Sequence, residues 1–327
     1  MIAFESVPFS DSIERSRWTS LEKRSVIATA FSSEAYVSAL SEVTGRSVDL
    51  TFIVKDGRDI AGLVSLQSKS GPLDRLIPAP LTPFSAFAAE SLPASAEVHA
   101  HSSWLDVLSE ALVSRYSTID LMLPPPFVDV RALQWQGWTA SPLYTFHLPI
   151  LSEESALSAW SESTSRRFRK SRDNFDLRTE PLDVEKIVRL CHAGYARNDK
   201  KAPLSSEQMT RFAKSLLESG MAQCWSISEK DSDNISAGIV ILKHEQTAVY
   251  WIAGSEPGPA MTVLLGLLIS VLHQDGISVL DFLGANTPSI AEFKRRFNPE
   301  LTPYFRVRYT RGGLLKILQS TVRAFRG

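Results

Sequence analysis

The hexapeptide Ala61-Gly62-Leu63-Val64-Ser65-Leu66 returns as Ala237-Gly238-Ile239-Val240-Ile241-Leu242, and this repetition decides how the rest of the chain is read. Each copy follows a polar turn, Lys55-Asp56-Gly57-Arg58 in the first and Lys230-Asp231-Ser232-Asp233-Asn234 in the second, and an alternating apolar segment precedes each turn. Alternation interrupted by a turn of this composition predicts a β-hairpin. A glycine beside a β-branched run predicts close approach of another element at the same place in both copies.

A second match lies further along. Ile119-Asp120-Leu121-Met122-Leu123 aligns with Leu280-Asp281-Phe282-Leu283-Gly284. With that offset held, Gly137 falls on Asn298, both residue types that end helices in the left-handed conformation. Tyr144, Phe146 and Leu148 fall on Phe305, Val307 and Tyr309, giving two strands of period two. The offsets of the two matches are 176 and 161, so the first copy carries 15 extra residues, which we assign to the proline-rich stretch Gly71–Pro93. The chain of 327 residues thus reads as two domains, 1–150 and 151–327. Each is an α/β domain with a mixed (α+β) sheet.

In the second copy, Glu153–Asp173 reads as a polar helical segment, and Asp183 as the cap of a helix with Val184, Ile187, Val188 and Cys191 inward. Ser205 and Gln208 form a capping box for the next helix. Strands follow at 222–228, 235–243 and 247–253, then helix 260–274 stopped by Gly276, then strand 277–283. Helix 260–274 is apolar nearly all round and is expected inside the domain.

The net charge is −1, from 35 basic and 36 acidic residues, which disfavours a protein that coats nucleic acid. The halves differ: residues 1–150 hold 11 basic and 16 acidic side chains, and residues 151–327 hold 24 and 20. Cys191 and Cys224 are too few for a disulfide framework and read as small buried hydrophobes. His99 and His101 have no carboxylate at ligand spacing, so no metal site is expected. Met1–Asp11 lacks a basic segment followed by an apolar run, so no signal peptide is expected. The longest apolar run, Ala260–Leu272, falls short of the ~20 residues that span a bilayer. A cytoplasmic protein is expected.

Two stretches can carry chemistry. In Gly254-Ser255-Glu256-Pro257-Gly258-Pro259-Ala260, a Gly/Pro loop delivers a helix N-terminus, so Gly254, Ser255, Gly258 and Ala260 are candidates to hold a phosphate on backbone N–H groups. The bland reading is a tight strand-to-helix turn. In Phe293-Lys294-Arg295-Arg296-Phe297, a cationic run follows the C-terminal end of a strand, where α/β sheets present their ligand crevices; otherwise it is a solvated face. At the 161-residue offset, Phe293 and Lys294 fall on Ala132 and Leu133, so only the second copy has a cation there. Asp281 is either a chemical or a structural carboxylate, since Asp120 repeats it. Tyr250 either donates a hydrogen bond to substrate or packs. Trp251 belongs to the core or lines a channel.

The duplicated plan, the basic segment Ser165-Arg166-Arg167-Phe168-Arg169-Lys170, Tyr250-Trp251-Ile252-Ala253-Gly254, and Asp281-Phe282-Leu283-Gly284 followed by Glu292-Phe293-Lys294-Arg295-Arg296-Phe297 resemble the Fem-type (FemABX-like) aminoacyltransferases and the related BioF2-like acyltransferases. The resemblance implies tandem GNAT-like domains, the acyl-CoA N-acyltransferase fold duplicated. It implies a first domain that shapes the acceptor site and a second that holds the donor. The Phe293-Lys294 pair would lie in the donor channel, where the lysine stabilises the oxyanion. The connection bearing Arg197, Lys200 and Lys201 would overhang the acceptor, and Arg295 would join them in binding it. The co-substrate implied is acyl-CoA, an acyl carrier or aminoacyl-tRNA, with no tightly bound cofactor.

The sequence departs from the acyl-CoA-binding GNAT loop, Q/R-x-x-G-x-G/A, in having Ser255 at its first position. It also lacks the helical arm that some Fem proteins use for tRNA. No general base stands out. The C-terminal stretch Gly312–Gly327 places Leu314, Leu318, Val322 and Phe325 on one helical face beside Lys316, Arg323 and Arg326, a pattern suited either to an anionic membrane or to docking on its own domain. The function expected is amide-bond formation on a small-molecule or lipid-linked acceptor of the cell envelope, at the inner face of the membrane. The alternative is an envelope-associated binding module without catalysis.

Overall fold

The computed structural model describes residues 2–70, 73–179 and 183–312. Leu314, Leu318, Val322 and Phe325 of the expected amphipathic helix lie outside the described residues. The chain divides into two compact units, residues 2–143 with 304–312, and residues 144–303. The sequence places residues 304–312 in the second half of the chain; they pack in unit 1.

Unit 1 runs β1 (Ile2–Pro8), α1 (Ser12–Glu22), α2 (Glu34–Thr44), β2 (Val48–Lys55), β3 (Arg58–Ser70), β4 (Leu73–Leu76), β5 (Phe87–Ala89), α3 (Ser95–His99), α4 (Trp104–Arg115), β6 (Thr118–Leu123) and α5 (Arg131–Trp135). β7 (Thr139–Pro149) leads into unit 2, which continues with α6 (Glu153–Ala159), α7 (Glu162–Ser171), β8 (Phe175–Arg178), α8 (Val184–Arg197), α9 (Ser206–Glu218), β9 (Ala222–Glu229), β10 (Ile235–His244), β11 (Thr247–Ser255), α10 (Ala260–Gln274), β12 (Val279–Asp281) and α11 (Pro288–Lys294). β13 (Glu300–Thr310) returns to unit 1.

The repeat has a direct structural meaning. Ala61–Leu66 and Ala237–Leu242 both lie in the second strand of an antiparallel hairpin, β2–β3 and β9–β10. The first hairpin turns on Asp56 and Gly57, both at positive φ (51° and 78°), as a two-residue turn with the twist of its strands requires. Both glycines lie under a helix. A Cβ on Gly62 would meet the Trp18 ring of α1 at 3.1 Å, and one on Gly238 would meet Ile187 of α8 at 2.3 Å.

The second match holds as well. β4 pairs parallel with β6 in unit 1, and β11 pairs parallel with β12 in unit 2. Gly137 and Asn298 both adopt left-handed φ, 84° and 57°, after α5 and after the turn that follows α11. Each sheet closes on a strand from far along the chain. Phe305–Thr310 of β13 pairs antiparallel with β6, and His147–Pro149 of β7 pairs antiparallel with β12.

Three local expectations change. The segment 153–173 is two helices, because Trp160 is extended and buried against Phe168 and Phe297 at 5.9 and 4.9 Å, while Ser161 N–H bonds the Arg296 carbonyl. Asp183 makes no side-chain cap; it accepts from the Ser226 hydroxyl of β9 at 2.6 Å and pairs with Lys186. The strand expected over 277–283 is only Val279–Asp281, because Leu283 and Gly284 are both left-handed. The Ser205–Gln208 capping box is present. Helix α10 is buried along most of its length, with Val263, Leu264, Leu265, Leu268 and Leu272 fully enclosed.

Candidate functional site

β11 and β12 stay paired for three residues only, Thr247–Val249 against Val279–Asp281. β11 then runs on to Ser255 beside β10, while the chain after Asp281 turns away. The sheet therefore opens just past the pair Val249–Asp281, and Lys294 fills the apex of the opening.

Lys294, the last residue of α11, is 5% exposed. Its ammonium donates to the Phe282 carbonyl and, at 3.4 Å, to that of Leu283. It lies 4.2 Å from the centre of the Tyr250 ring and 5.8 Å from that of Phe282. The left-handed pair Leu283 (φ 54°) and Gly284 (φ 65°) turns both carbonyls toward it. A leucine in that conformation costs roughly 1–3 kcal/mol and persists only where its surroundings hold it. Asp281 supplies the hold: buried, it accepts the Leu283 N–H at 2.9 Å and the Thr145 hydroxyl at 2.5 Å. A Cβ on Gly284 would press on Ile290 at 3.1 Å and on the Lys294 ammonium at 3.2 Å.

Burial draws Lys294 from 10.5 down to about 7, and the negative charge of Asp281 opposes that shift. An ammonium has three N–H donors. Two go to backbone carbonyls, and the third can meet an oxygen on which charge develops, the requirement for stabilising the transition state of acyl transfer.

The other sequence candidates fall around this point. The Tyr250 hydroxyl donates to Met261 Sδ of α10 at 3.6 Å, its ring meets Phe282 edge to face, and burial pushes its phenol up. Phe293 is half-buried, edge to face with Phe297 at 5.3 Å. Arg295 is exposed and paired with Glu292 through two hydrogen bonds, 2.5 and 2.9 Å. Trp251 packs edge to face on Phe212 of α9 at 4.9 Å.

Gly254 is where α8 lies on β11, since a Cβ there would sit 2.3 Å from the Leu190 and Cys191 backbone. Ser255 pairs with Ala237, and its carbonyl accepts from Arg197 at 2.8 Å. Gly258 is exposed at φ 138°, and Ala260 is buried as the first residue of α10. The first helical bond of α10 runs from Val263 N–H to Pro259 O, so the amides of Ala260, Met261 and Thr262 precede the intrahelical ladder. The α8–α9 connection reaches the segment after β12: Lys200 donates to Thr287 Oγ1, and Ser289 to Asn198 Oδ1, both at 3.3 Å. Lys201 is exposed beside them.

Sequence reasoning missed Thr145, His147 and Thr302. His147 Nε2 lies 3.7 Å from Asp281 Oδ2, and its Nδ1 lies 3.2 Å from Thr302 Oγ1. A signal was available, because the offset that sets Asp120 on Asp281 also sets Thr145 on Arg306. In unit 1, Arg306 grips Asp120 through two hydrogen bonds of 2.8 and 2.5 Å.

The equivalent opening in unit 1 is filled by its own chain. Twenty-seven residues, 77–103, separate β4 from α4. Within them Ser85 exchanges hydrogen bonds with Met122 of β6, Ala86 O accepts from Val64 of β3, β5 pairs with β3, and Phe84 is buried on Phe31 and Tyr304. An apolar cavity of about 40 Å³ remains. Leu133, the counterpart of Lys294, is buried. In unit 2 only residues 256–259 separate β11 from α10, too few to fill the corresponding gap. The open groove of about 620 Å³ in unit 2 lies elsewhere, on α6 and α7, lined by Trp160, Arg166, Arg169 and Lys170 among others.

Residues 160–295 match the family model described as an acetyltransferase (GNAT) domain. The structure is similar to that of FemX, at 11% identity and TM-score 0.67, over 92% of this chain and 96% of that one. It is also similar to the C-terminal domain of a putative lysylphosphatidylglycerol synthetase from Agrobacterium fabrum, at 14% identity and TM-score 0.57, over 96% and 97% of the two chains. A tandem GNAT protein from the clavulanic acid biosynthesis pathway matches at 12% identity and TM-score 0.52, over 94% and 98%. No curated protein matches the chain in sequence. The fold is that of the tandem GNAT acyltransferases. Within that fold its likeness extends to FemX over nearly the whole chain, and the GNAT match falls in unit 2. None of the described helices is long and apolar enough to cross a membrane.

Proposed function

We propose that unit 2 transfers an acyl or aminoacyl group to an amine of a cell-envelope acceptor, forming an amide, with Lys294 stabilising the oxyanion. The single observation that carries this reading is the buried Lys294 ammonium at the apex of the β11–β12 opening, with two N–H groups fixed by carbonyls. The donor's carbonyl would enter where β11 and β12 part, toward the Lys294 ammonium, and Phe293 would shape that channel. The amides opening α10 would hold a donor phosphate, as the positive end of a helix dipole favours.

The acceptor would approach past Arg197, Lys200 and Lys201, with Arg295 at its margin. A lipid-linked acceptor would draw the protein to the inner face of the membrane, aided by the basic tail. The similarity to FemX and to a lysylphosphatidylglycerol synthetase domain lends weight to an aminoacyl donor, and the GNAT model to acyl-CoA.

A thermal-shift screen of the full chain against acetyl-CoA, longer acyl-CoAs and aminoacyl-tRNA mimics tests the reading. One donor class should raise Tm in the wild type. Stabilisation by neither class, with no turnover, would favour a binding module without catalysis.

A further inference from the structure

The rung His147–Asp281–Val249 is the last to cross β7, β12 and β11 before the strands part. The residues that follow on β11 and β12, Tyr250 and Phe282, form the Lys294 pocket. Asp281 Oδ1 is occupied by Thr145 and Leu283, which leaves Oδ2 directed at His147 Nε2, 3.7 Å away. That separation exceeds a hydrogen bond. In the tautomer whose Nδ1–H donates to Thr302 Oγ1, Nε2 presents its lone pair. Two acceptors then face each other with no proton between them. Such a pair is complementary to a cationic N–H donor placed beside both, at about 2.9 Å from each. The His147 side chain is 30% exposed, so solvent reaches the imidazole, while the Asp281 side chain is buried.

We propose that His147 and Asp281 bind the acceptor's amino group as its ammonium, and that His147 takes the proton the amine must lose before attack. This rests on the acyl-transfer reading of unit 2. The ammonium gives one proton to Nε2, and the resulting imidazolium is held by Asp281. The freed nitrogen lone pair forms the C–N bond to the donor carbonyl, whose oxygen becomes the anion met by Lys294. As the tetrahedral centre collapses, the bond from carbon to the donor's sulfur or ester oxygen breaks with its electron pair. The second nitrogen proton leaves with that group, and the first passes from His147 to solvent. Among the described residues, the charged and polar groups at the imidazole are Asp281 from β12 and Thr302 from β13, with Thr145 of its own strand bonded to Asp281.

Two measurements on the full chain decide the matter. With whichever of acetyl-CoA or alanyl-tRNA the wild type consumes, His147→Gln is compared on n-butylamine, protonated at pH 7, and on hydroxylamine, largely neutral there. We expect kcat on butylamine to fall about 10²-fold, the usual worth of a general base, with partial rescue by added imidazole. The rate on hydroxylamine should change little. Equal losses on both amines, or no loss on either, overturn the proposal.

The second measurement needs no turnover. In histidine-labelled protein, butylammonium should shift the His147 ring resonances in the wild type and in Lys294→Met alike. Absence of that shift overturns the amine site whatever Lys294 does. A shift without turnover of either donor would instead support the amine site and count against the transfer reading.

Discussion

The ammonium of Lys294 lies 4.2 Å from the centre of the Tyr250 ring, and two backbone carbonyls at the end of β12 take two of its N–H groups. A cation so enclosed is costly to bury, and it stands where the sheet opens. Those two facts fix most of what can be tested.

Replacing Lys294 with Met should lower kcat by on the order of 10²–10³, the scale of losing one oxyanion donor, with a smaller effect on KM for the donor. Because the ammonium is held at about 7, the wild-type rate should also decline as pH rises through that value. A Met variant that folds and turns over at the wild-type rate would remove Lys294 from the chemistry.

The same substitution should stabilise the fold, with a pH dependence of definite sign. Lys294 is lowered from 10.5 to about 7 on folding, so between those values the folded state binds fewer protons and stability rises with pH. Below pH 7 both states carry the charge and the full cost of burial remains. Met should therefore gain on the order of 1–4 kcal/mol below pH 7, shrinking toward pH 10. Urea unfolding at pH 6 and pH 9 checks this; a gain independent of pH would contradict it.

Two glycines, one on β11 beneath α8 and one within α8, should respond oppositely to alanine. Gly254→Ala places a Cβ 2.3 Å from the α8 backbone and should cost about 1–3 kcal/mol or more. Gly194→Ala, inside α8 with its nearest neighbour at 3.8 Å, should gain about 0.4–1 kcal/mol. Thermal unfolding of the pair provides the comparison, and similar shifts for both would show that α8 does not rest on Gly254.

Phe84→Ala removes a fully buried ring from the segment that fills unit 1 and should cost about 3–5 kcal/mol. Calorimetry should find one donor site per chain in the wild type, since that opening in unit 1 is closed. A stoichiometry of two would mean that the plug yields to a ligand.

Removing residues 312–327 should weaken binding to vesicles containing anionic lipid, most clearly at low salt, as expected of a surface held by basic side chains and one apolar face. Unchanged flotation would restrict the tail to another role.

Much of the fold was legible because it is local. A two-residue turn at positive φ, a capping box at Ser205–Gln208 and left-handed stops at Gly137 and Asn298 each depend on a few neighbouring residues. The break at Trp160 was not, because the periodicity of 153–173 continues through it and only burial against Phe297 bends the chain. Lys294 was legible from its contrast with Leu133. His147 was not, because nothing near it in sequence distinguishes it from an ordinary strand residue.

By itself the sequence determined that this chain is one body plan used twice, with a lysine where the first copy has leucine, since repeats and side-chain chemistry are written residue by residue. Only the tertiary structure decided which strand closes each sheet, and so that Asp281 meets Thr145 and His147 while Asp120 meets Arg306. Those pairs lie more than 130 residues apart. Strand periodicity records which face is buried and carries no information on which distant strand will share the rung.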